Sequence, residues 1–252
     1  MRVATFNILH GRSLLDDRVD LDRFADAVKT LDADVLALQE VDRNQSRSAY
    51  ADLTSVAAEA MGALEHRFVP ALEGSPAGTW TAATGAEQRE GPAYGIALLS
   101  RYPVGSWEVL RLAGAPTRVP VRSPGKRRPM LVRDEPRVAV AARVATPVGE
   151  ITVANTHLTF VRWWNRRQLG SVMRSLEDRD PLLLLGDLNM SPARARAITT
   201  MTPLAQADTF PAKAPREQLD HVLARGEVGR VLDAGVHDLP LSDHLALTVD
   251  LA

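Results

Sequence analysis

The sequence predicts a layered α/β (α+β) protein, with helices laid against sheets, rather than a helical bundle. Three observations predict it. Short apolar runs rich in β-branched residues recur along the chain, stretches of helical spacing separate them, and several runs end on Asp, Asn, Glu or His. No internal repeat of solenoid length is present.

The first strand is predicted at 3–9, where Arg2-Val3-Ala4-Thr5-Phe6-Asn7-Ile8 alternates with period two, as one buried face requires. Leu21, Phe24, Val28 and Leu31 then share one helical face, with Asp20 placed to cap the helix. A strand follows at 34–40, and a second helical stripe at Leu53, Val56, Ala60, Met61 and Leu64. Strands are predicted at 67–72, 96–100, 106–112, 137–145 and 150–157. Leu169, Val172, Met173 and Leu176 form a third stripe, and a strand covers 181–186. Ser191-Pro192 reads as a cap followed by proline at the first helical position, opening a fourth helix. The last strands are predicted at 220–223 and 245–251. Residues 73–92 and 113–136, rich in Gly, Pro and small residues, are expected to be surface loops of one domain spanning 1–252.

Composition narrows the chemistry. With 45% hydrophobic and 24% charged residues, the chain has the material for a sizeable core and is not of disordered type. Its formal net charge of −1 carries no basic excess of the kind that marks nucleic-acid binders, although a local patch is compatible with it. It has no cysteine, so thiolate nucleophiles, disulfides and Cys-based zinc sites are excluded. A metal would have to be held by Asp, Glu, Asn or His, which favours hard ions: Mg2+ first, with Mn2+ or Ca2+ as alternatives. No signal peptide or membrane-spanning run is evident, so the expected location is cytoplasmic. The protein is taken as a monomer.

The ends of the predicted strands carry the chemistry. Asn7 closes the first, Gln39-Glu40 the second, and Asn155-Thr156-His157 and Gly186-Asp187-Leu188-Asn189 two later ones. Leu219-Asp220-His221 opens another, and Ser242-Asp243-His244 precedes the last. Turn chemistry accounts for any one of these. Six together are what a metal site at the edge of a rigid β-scaffold requires.

These motifs, with Thr5-Phe6-Asn7-Ile8, Leu38-Gln39-Glu40 and Gly95-Ile96-Ala97-Leu98-Leu99-Ser100-Arg101, occur in an order that resembles the endonuclease/exonuclease/phosphatase superfamily of DNase I-like, metal-dependent phosphoesterases. The resemblance runs from Asn7 to His244. It implies a four-layer sandwich of two packed mixed sheets flanked by helices. It also implies a Mg2+-dependent hydrolase of phosphate esters, foremost a phosphodiesterase acting on nucleic acid or on a small-molecule or lipid-headgroup diester. A phosphomonoesterase for an inositol phosphate or nucleotide is the alternative, and an inactive relative used as a binding module is a third.

Roles follow from the resemblance position by position. Glu40 matches the principal metal ligand, with Asn7 and Asp243 beside it. Asp187 and Asn189 match the pair that aims the attacking water and contacts the phosphoryl group. Asp220 and His244 match a carboxylate–imidazole dyad, and His157 matches a donor to a phosphate oxygen. Asn7, His157 and Asn189 are therefore also substrate-binding candidates. One departure stands out. Some nucleases carry a tyrosine two residues before the motif glycine, where this chain has Ala93, with Tyr94 one position off. Arg127 and Arg128, within the basic stretch Arg118, Arg122, Lys126, Arg133, are candidate substrate contacts on an anion-attracting lip, or else part of a solvated loop. Arg137 is expected to serve packing or an ion pair. Phe160, Trp163 and Trp164 are expected either in the core or at a surface, with at least one of the adjacent tryptophans partly exposed.

Overall fold

The computed structural model describes residues 1–76, 78–86, 88, 90–121 and 130–252. Arg122, Lys126, Arg127 and Arg128 lie outside the described residues.

The first half of the chain forms β1 (Arg2–Asn7), α1 (Leu21–Leu31), β2 (Val35–Arg43), α2 (Leu53–Met61), β3 (Glu65–Gly74), β4 (Trp80–Ala82), β5 (Ala93–Ser100) and β6 (Val104–Leu112). A short pair follows, β7 (Val119–Val121) and β8 (Met130–Val132), then β9 (Arg137–Thr146), β10 (Gly149–His157) and α3 (Arg162–Ser175). The remainder is β11 (Leu182–Asp187), α4 (Pro192–Thr199), β12 (Thr202–Pro203), β13 (Asp220–Arg225), β14 (Val231–His237) and β15 (Ala246–Leu251).

Two mixed sheets result, ordered β14-β15-β1-β2-β5-β3-β4 and β12-β13-β11-β10-β9-β6. Their inner faces meet in one apolar layer, with Val3, Val35, Ile96 and Leu98 on one side and Val140, Val153, Leu183 and Leu185 on the other. Each such side chain contributes about 1.5–3 kcal/mol when fully buried. The outer face of the first sheet packs Phe6, Leu36 and Leu38 on Phe24, Val28 and Leu31 of α1 and Leu53 and Ala57 of α2. The outer face of the second packs Ala154, Leu182 and Leu184 on Leu169 and Val172 of α3 and Ala195 of α4. The expected four layers are present.

Local chemistry sets the helix ends. Asp20 caps α1 by accepting from the Arg23 amide at 3.0 Å, and Asp52 caps α2 from Thr54 and Ser55. Proline occupies the first turn of α4, as expected, but Ser191 makes no side-chain cap bond. Leu64 falls outside α2 and is exposed, because the helix stops at Gly62 with its left-handed φ of 67°.

Several expectations are corrected. The 73–92 stretch contains β4, which extends the sheet edge by pairing with β3. The 113–136 stretch contains the β7–β8 pair. The 231–237 stretch is an edge strand, hidden in the sequence because its Asp, Gly and exposed positions break the apolar run; its pairing with β15 supplies what its composition lacks.

The strands that meet at the centre show a gradient along their inner-face positions. Reading toward one end, β10 presents Ile151, Val153, Asn155 and His157, β11 presents Leu183, Leu185 and Asp187, and β1 presents Val3, Thr5 and Asn7. The layer between the sheets is apolar at one end, neutral and polar in the middle, and charged where it opens.

Candidate active site

Register brings the charged ends together. In the parallel pairing of β10 with β11, His157 lies opposite Asp187; in the antiparallel pairing of β11 with β13, Asp187 lies opposite Asp220. Paired residues on neighbouring strands face the same side, so the three side chains form one row. Gly186 allows it: its φ is 138°, and a Cβ there would sit 1.9 Å from the Thr156 carbonyl oxygen. The facing sheet contributes Asn7 from β1 and Glu40 from β2. Glu40 sits in a β-bulge between Leu38 and Val41 with φ 57°, a left-handed conformation that re-aims the side chain.

Asp187 is the hub. Its Oδ2 accepts from Asn7 Nδ2 at 3.1 Å and lies 3.5 Å from His157 Nε2 and 3.8 Å from His244 Nε2. Its Oδ1 accepts from the Asn189 amide at 3.0 Å. The same Asn7 nitrogen donates to Glu40 Oε1, also at 3.1 Å, so one amide bridges two carboxylates of opposite sheets. Burial and the nearby Asp220 charge push the Asp187 carboxyl up to about 7, against the pull of His244, Asn7 and Asn189. Burial likewise raises Glu40, with Asn7 and Arg137 opposing it and Asp243 adding to it.

The dyad is formed. His244 Nδ1 lies 2.8 Å from Asp220 Oδ2, and both side chains are buried. Burial disfavours the charged imidazole, but Asp220, helped by Asp187 and Asp243, outweighs it and pushes His244 up to about 10. Ser242, at φ 72°, fixes the approach by donating its hydroxyl to the Asn7 carbonyl at 2.6 Å and accepting from the His244 amide.

His157 is in the opposite state. Burial and the Arg137 charge hold it well below its ordinary value, so it is neutral. Arg137 Nη1 is 3.3 Å from His157 Nδ1 and can only donate, so Nδ1 accepts and the ring proton sits on Nε2, facing Asp187. Asn189, at φ 50°, places its Nδ2 3.4 Å from that Nε2 and donates to the Leu158 carbonyl at 2.9 Å.

Some participants were not legible as such. Arg137 is 8% exposed, its nearest acid is Glu135 at 3.8 Å, and its Nε has no hydrogen-bond partner. It is a buried cation beside His157, and a guanidinium opening an apolar strand was the signal available. Tyr94, one position off the family pattern, is buried with the Arg47 guanidinium 5.4 Å from its ring centre, and its phenol feels Glu40 and Arg137. Bulges in β2 and β3 on either side of β5 adjust the register there. His10 follows Asn7 in a left-handed turn (φ 49°), pushed down to about 4 by burial, Arg47 and Arg12. His221 lies buried with its Nε2 2.9 Å from the Met190 carbonyl oxygen.

The donor set fits a divalent cation. Asp187, Asp220 and His244 present ligand atoms within 4.8 Å of one another. Asp220 Oδ1 is buried without a hydrogen-bond partner, and Glu40 and Asp187 are both driven toward protonation by burial. Buried, under-compensated carboxylates of this kind are stabilised by a hard cation with oxygen ligands.

A sequence model of the Endonuclease/Exonuclease/phosphatase family matches residues 4–244, and the chain belongs to that family, whose members are phosphoesterase hydrolases. No curated protein sequence matches it. Among solved structures, an endonuclease/exonuclease/phosphatase from Beutenbergia cavernae is similar over 100% of this chain and 71% of its own, at 21% identity and TM-score 0.67. A mannosyl-6-phosphatase from Bacteroides thetaiotaomicron is similar over 100% and 99%, at 16% identity and TM-score 0.68. Sphingomyelinase C from Streptomyces griseocarneus is similar over 100% and 99%, at 16% identity and TM-score 0.64. These likenesses confirm the fold. Among the described residues, no helix is long and apolar enough to cross a membrane.

Proposed function

We propose that the protein is a Mg2+-dependent phosphodiesterase in which Asp187 takes a proton from the attacking water. The observation that carries this reading is the environment of Asp187 Oδ2, ringed by Asn7, His157 and His244. A carboxyl pushed up to about 7 is matched to proton transfer near neutral pH. As the water oxygen bonds to phosphorus and gives its proton to Asp187, the ester P–O bond breaks, the leaving alkoxide takes a proton from solvent, and negative charge builds on the phosphoryl oxygens in between. His244, held as imidazolium by Asp220, and neutral His157 with its proton on Nε2 are donors for that charge, with the Asn189 amide beside them. Glu40, Asn7 and Asp243 are the side chains that would hold the divalent ion, which supplies Lewis-acid polarisation of the phosphate. The Asp187, Asp220 and His244 cluster offers an alternative seat, one that would require His244 to give up its proton and its role as a charged donor.

The likeness to the mannosyl-6-phosphatase keeps phosphomonoesters as the second reading. The test is hydrolysis of bis(4-nitrophenyl) phosphate and 4-nitrophenyl phosphate with Mg2+, Mn2+ or chelator, on the native chain and on Glu40→Gln. Diester turnover that chelator abolishes, and that Glu40→Gln restores only at raised Mg2+, is expected. Full activity in chelator overturns metal dependence, preference for the monoester overturns the diesterase reading, and inactivity on both leaves a binding module.

A further inference from the structure

Outside the catalytic centre, the α3–α4 face is rich in guanidiniums. Several arginines elsewhere are neutralised in place: Arg23 by Asp16, Arg143 by Glu150, Arg179 by Glu108 and Arg225 by Asp180. Between Leu158 and Ser175, and again between Leu188 and Ala207, the sequence has no Asp or Glu. These two segments carry Arg162, Arg166, Arg167, Arg174, Arg194 and Arg196, all at least partly exposed. Among the described residues none of the six has a carboxylate partner. In a chain of net charge −1, this concentration of positive potential is local.

Aromatic rings interleave with these charges. Trp163 is 55% and Phe160 49% exposed. Trp164 is tethered, its Nε1 donating to the Ala113 carbonyl at 2.7 Å and its ring lying 5.3 Å from the Arg167 guanidinium. The two indoles are 5.3 Å apart in an edge-to-face arrangement, with Trp163 the more exposed. Trp163, Arg166, Arg167, Gly170 and Arg174 of α3 line a groove with Ile198 of α4. The platform is joined to the loop that carries Asn189: Asn165 donates to the Asn189 carbonyl at 2.9 Å, and Arg194 to the Arg162 carbonyl at 2.8 Å.

We propose that the α3–α4 groove is a docking surface for single-stranded nucleic acid. A row of unpaired guanidiniums along a helix about 20 Å long suits a chain of phosphates. An exposed indole among them suits an unpaired base, since stacking on an aromatic face is tolerant of sequence. A bilayer fits less well. The surface is concave, and the apolar side of α3, Leu169 and Val172, is committed to the core and has nothing to insert.

Binding is measured without turnover, so it stands or falls apart from the catalytic reading. The probe is a fluorescein-labelled oligothymidylate of about twelve nucleotides, in chelator, followed by anisotropy as salt is raised. With three guanidiniums engaged, the logarithm of affinity should fall against that of salt with a slope of about −2. R166Q/R174Q should weaken binding and flatten the slope by about 1.4. Trp163→Ala should weaken it roughly tenfold with the slope unchanged. Each variant should hydrolyse bis(4-nitrophenyl) phosphate as the native chain does. No binding at low salt, binding that these variants leave unaltered, or binding of phosphatidylserine vesicles in place of the oligonucleotide would overturn the proposal.

Discussion

Two polar clusters are buried side by side between the sheets, and they are built on opposite principles. In the first, Gln39 of β2 donates to Asn155 of β10 at 2.8 Å and to Thr5 at 3.0 Å, while Asn155 donates to the Leu38 and Ala97 carbonyls at 2.9 and 2.8 Å. Every member is neutral and paired, and the cluster ties one sheet to the other. In the second, one residue further along β2 and two along β10, the proton affinities of Glu40, Asp187, His157 and His244 are pushed in competing directions, and Asp220 has an orphaned oxygen. A satisfied buried network specifies structure, whereas an unsatisfied one stores a demand for a ligand. The difference separates scaffold from site more sharply than burial does, because every member of both clusters except the half-buried Glu40 is buried.

The contrast is tested most strongly at Asp187. Asp187→Asn keeps the shape and removes the proposed proton acceptor, so turnover should fall roughly 10³-fold with little change in KM. Its melting temperature should hold or rise, since a poorly compensated buried charge is gone. Steady-state kinetics with a thermal melt decides it; a large loss of stability would place Asp187 with the scaffold. Asn155→Ala is the converse. It takes the Asn155 donor from two buried carbonyls and one acceptor from Gln39, which keeps Thr5, at about 1–3 kcal/mol for each group left unsatisfied, and should lower the melting temperature clearly. In molecules that stay folded, KM for a small diester should be unchanged; a selective loss of activity at native stability would break the distinction.

The smallest effect concerns pH. The folded-state affinity of His244 for its proton is raised from 6.5 to about 10, so the imidazolium–Asp220 pair contributes fully below pH 6.5 and is lost as pH rises toward 10. In chelator, the gap in melting temperature between the native chain and His244→Gln should be widest below pH 6.5 and narrow steadily above it. A gap that widens with pH would mean the buried imidazole is neutral.

Much of this was readable in the chain. The alternation in β1 and the capped stripe of α1 were legible because they rest on short-range periodicity. So were the strand-terminal polar residues, since a carboxylate closing an apolar run is conspicuous. What was not legible depends on register and on contacts distant in sequence. Asn155 and Gln39 meet across 116 positions, and nothing local in either strand announces the pairing. Arg137 reads as a packing or ion-pair residue, and its place beside His157 shows only when β9 and β10 are set side by side. Tyr94 stood out of place against the family pattern, and the bulges flanking β5 are invisible to periodicity.

The row of His157, Asp187 and Asp220 has a further consequence. Because these residues are neighbours across three strands, their spacing is set by ladder geometry, at about 4.7–4.9 Å per strand, and not by the length of any connection. Lengthening the turn after Asp187, or the long excursion before Asp220, leaves that spacing untouched. Inserting one residue inside β11 would turn Asp187 to the opposite face and silence the row while most of the core survives. For protein engineering the molecule therefore divides unevenly: the excursion between α4 and β13 can change length without altering the row, whereas β11, with its buried leucines and a Gly186 that leaves no room for a Cβ, cannot.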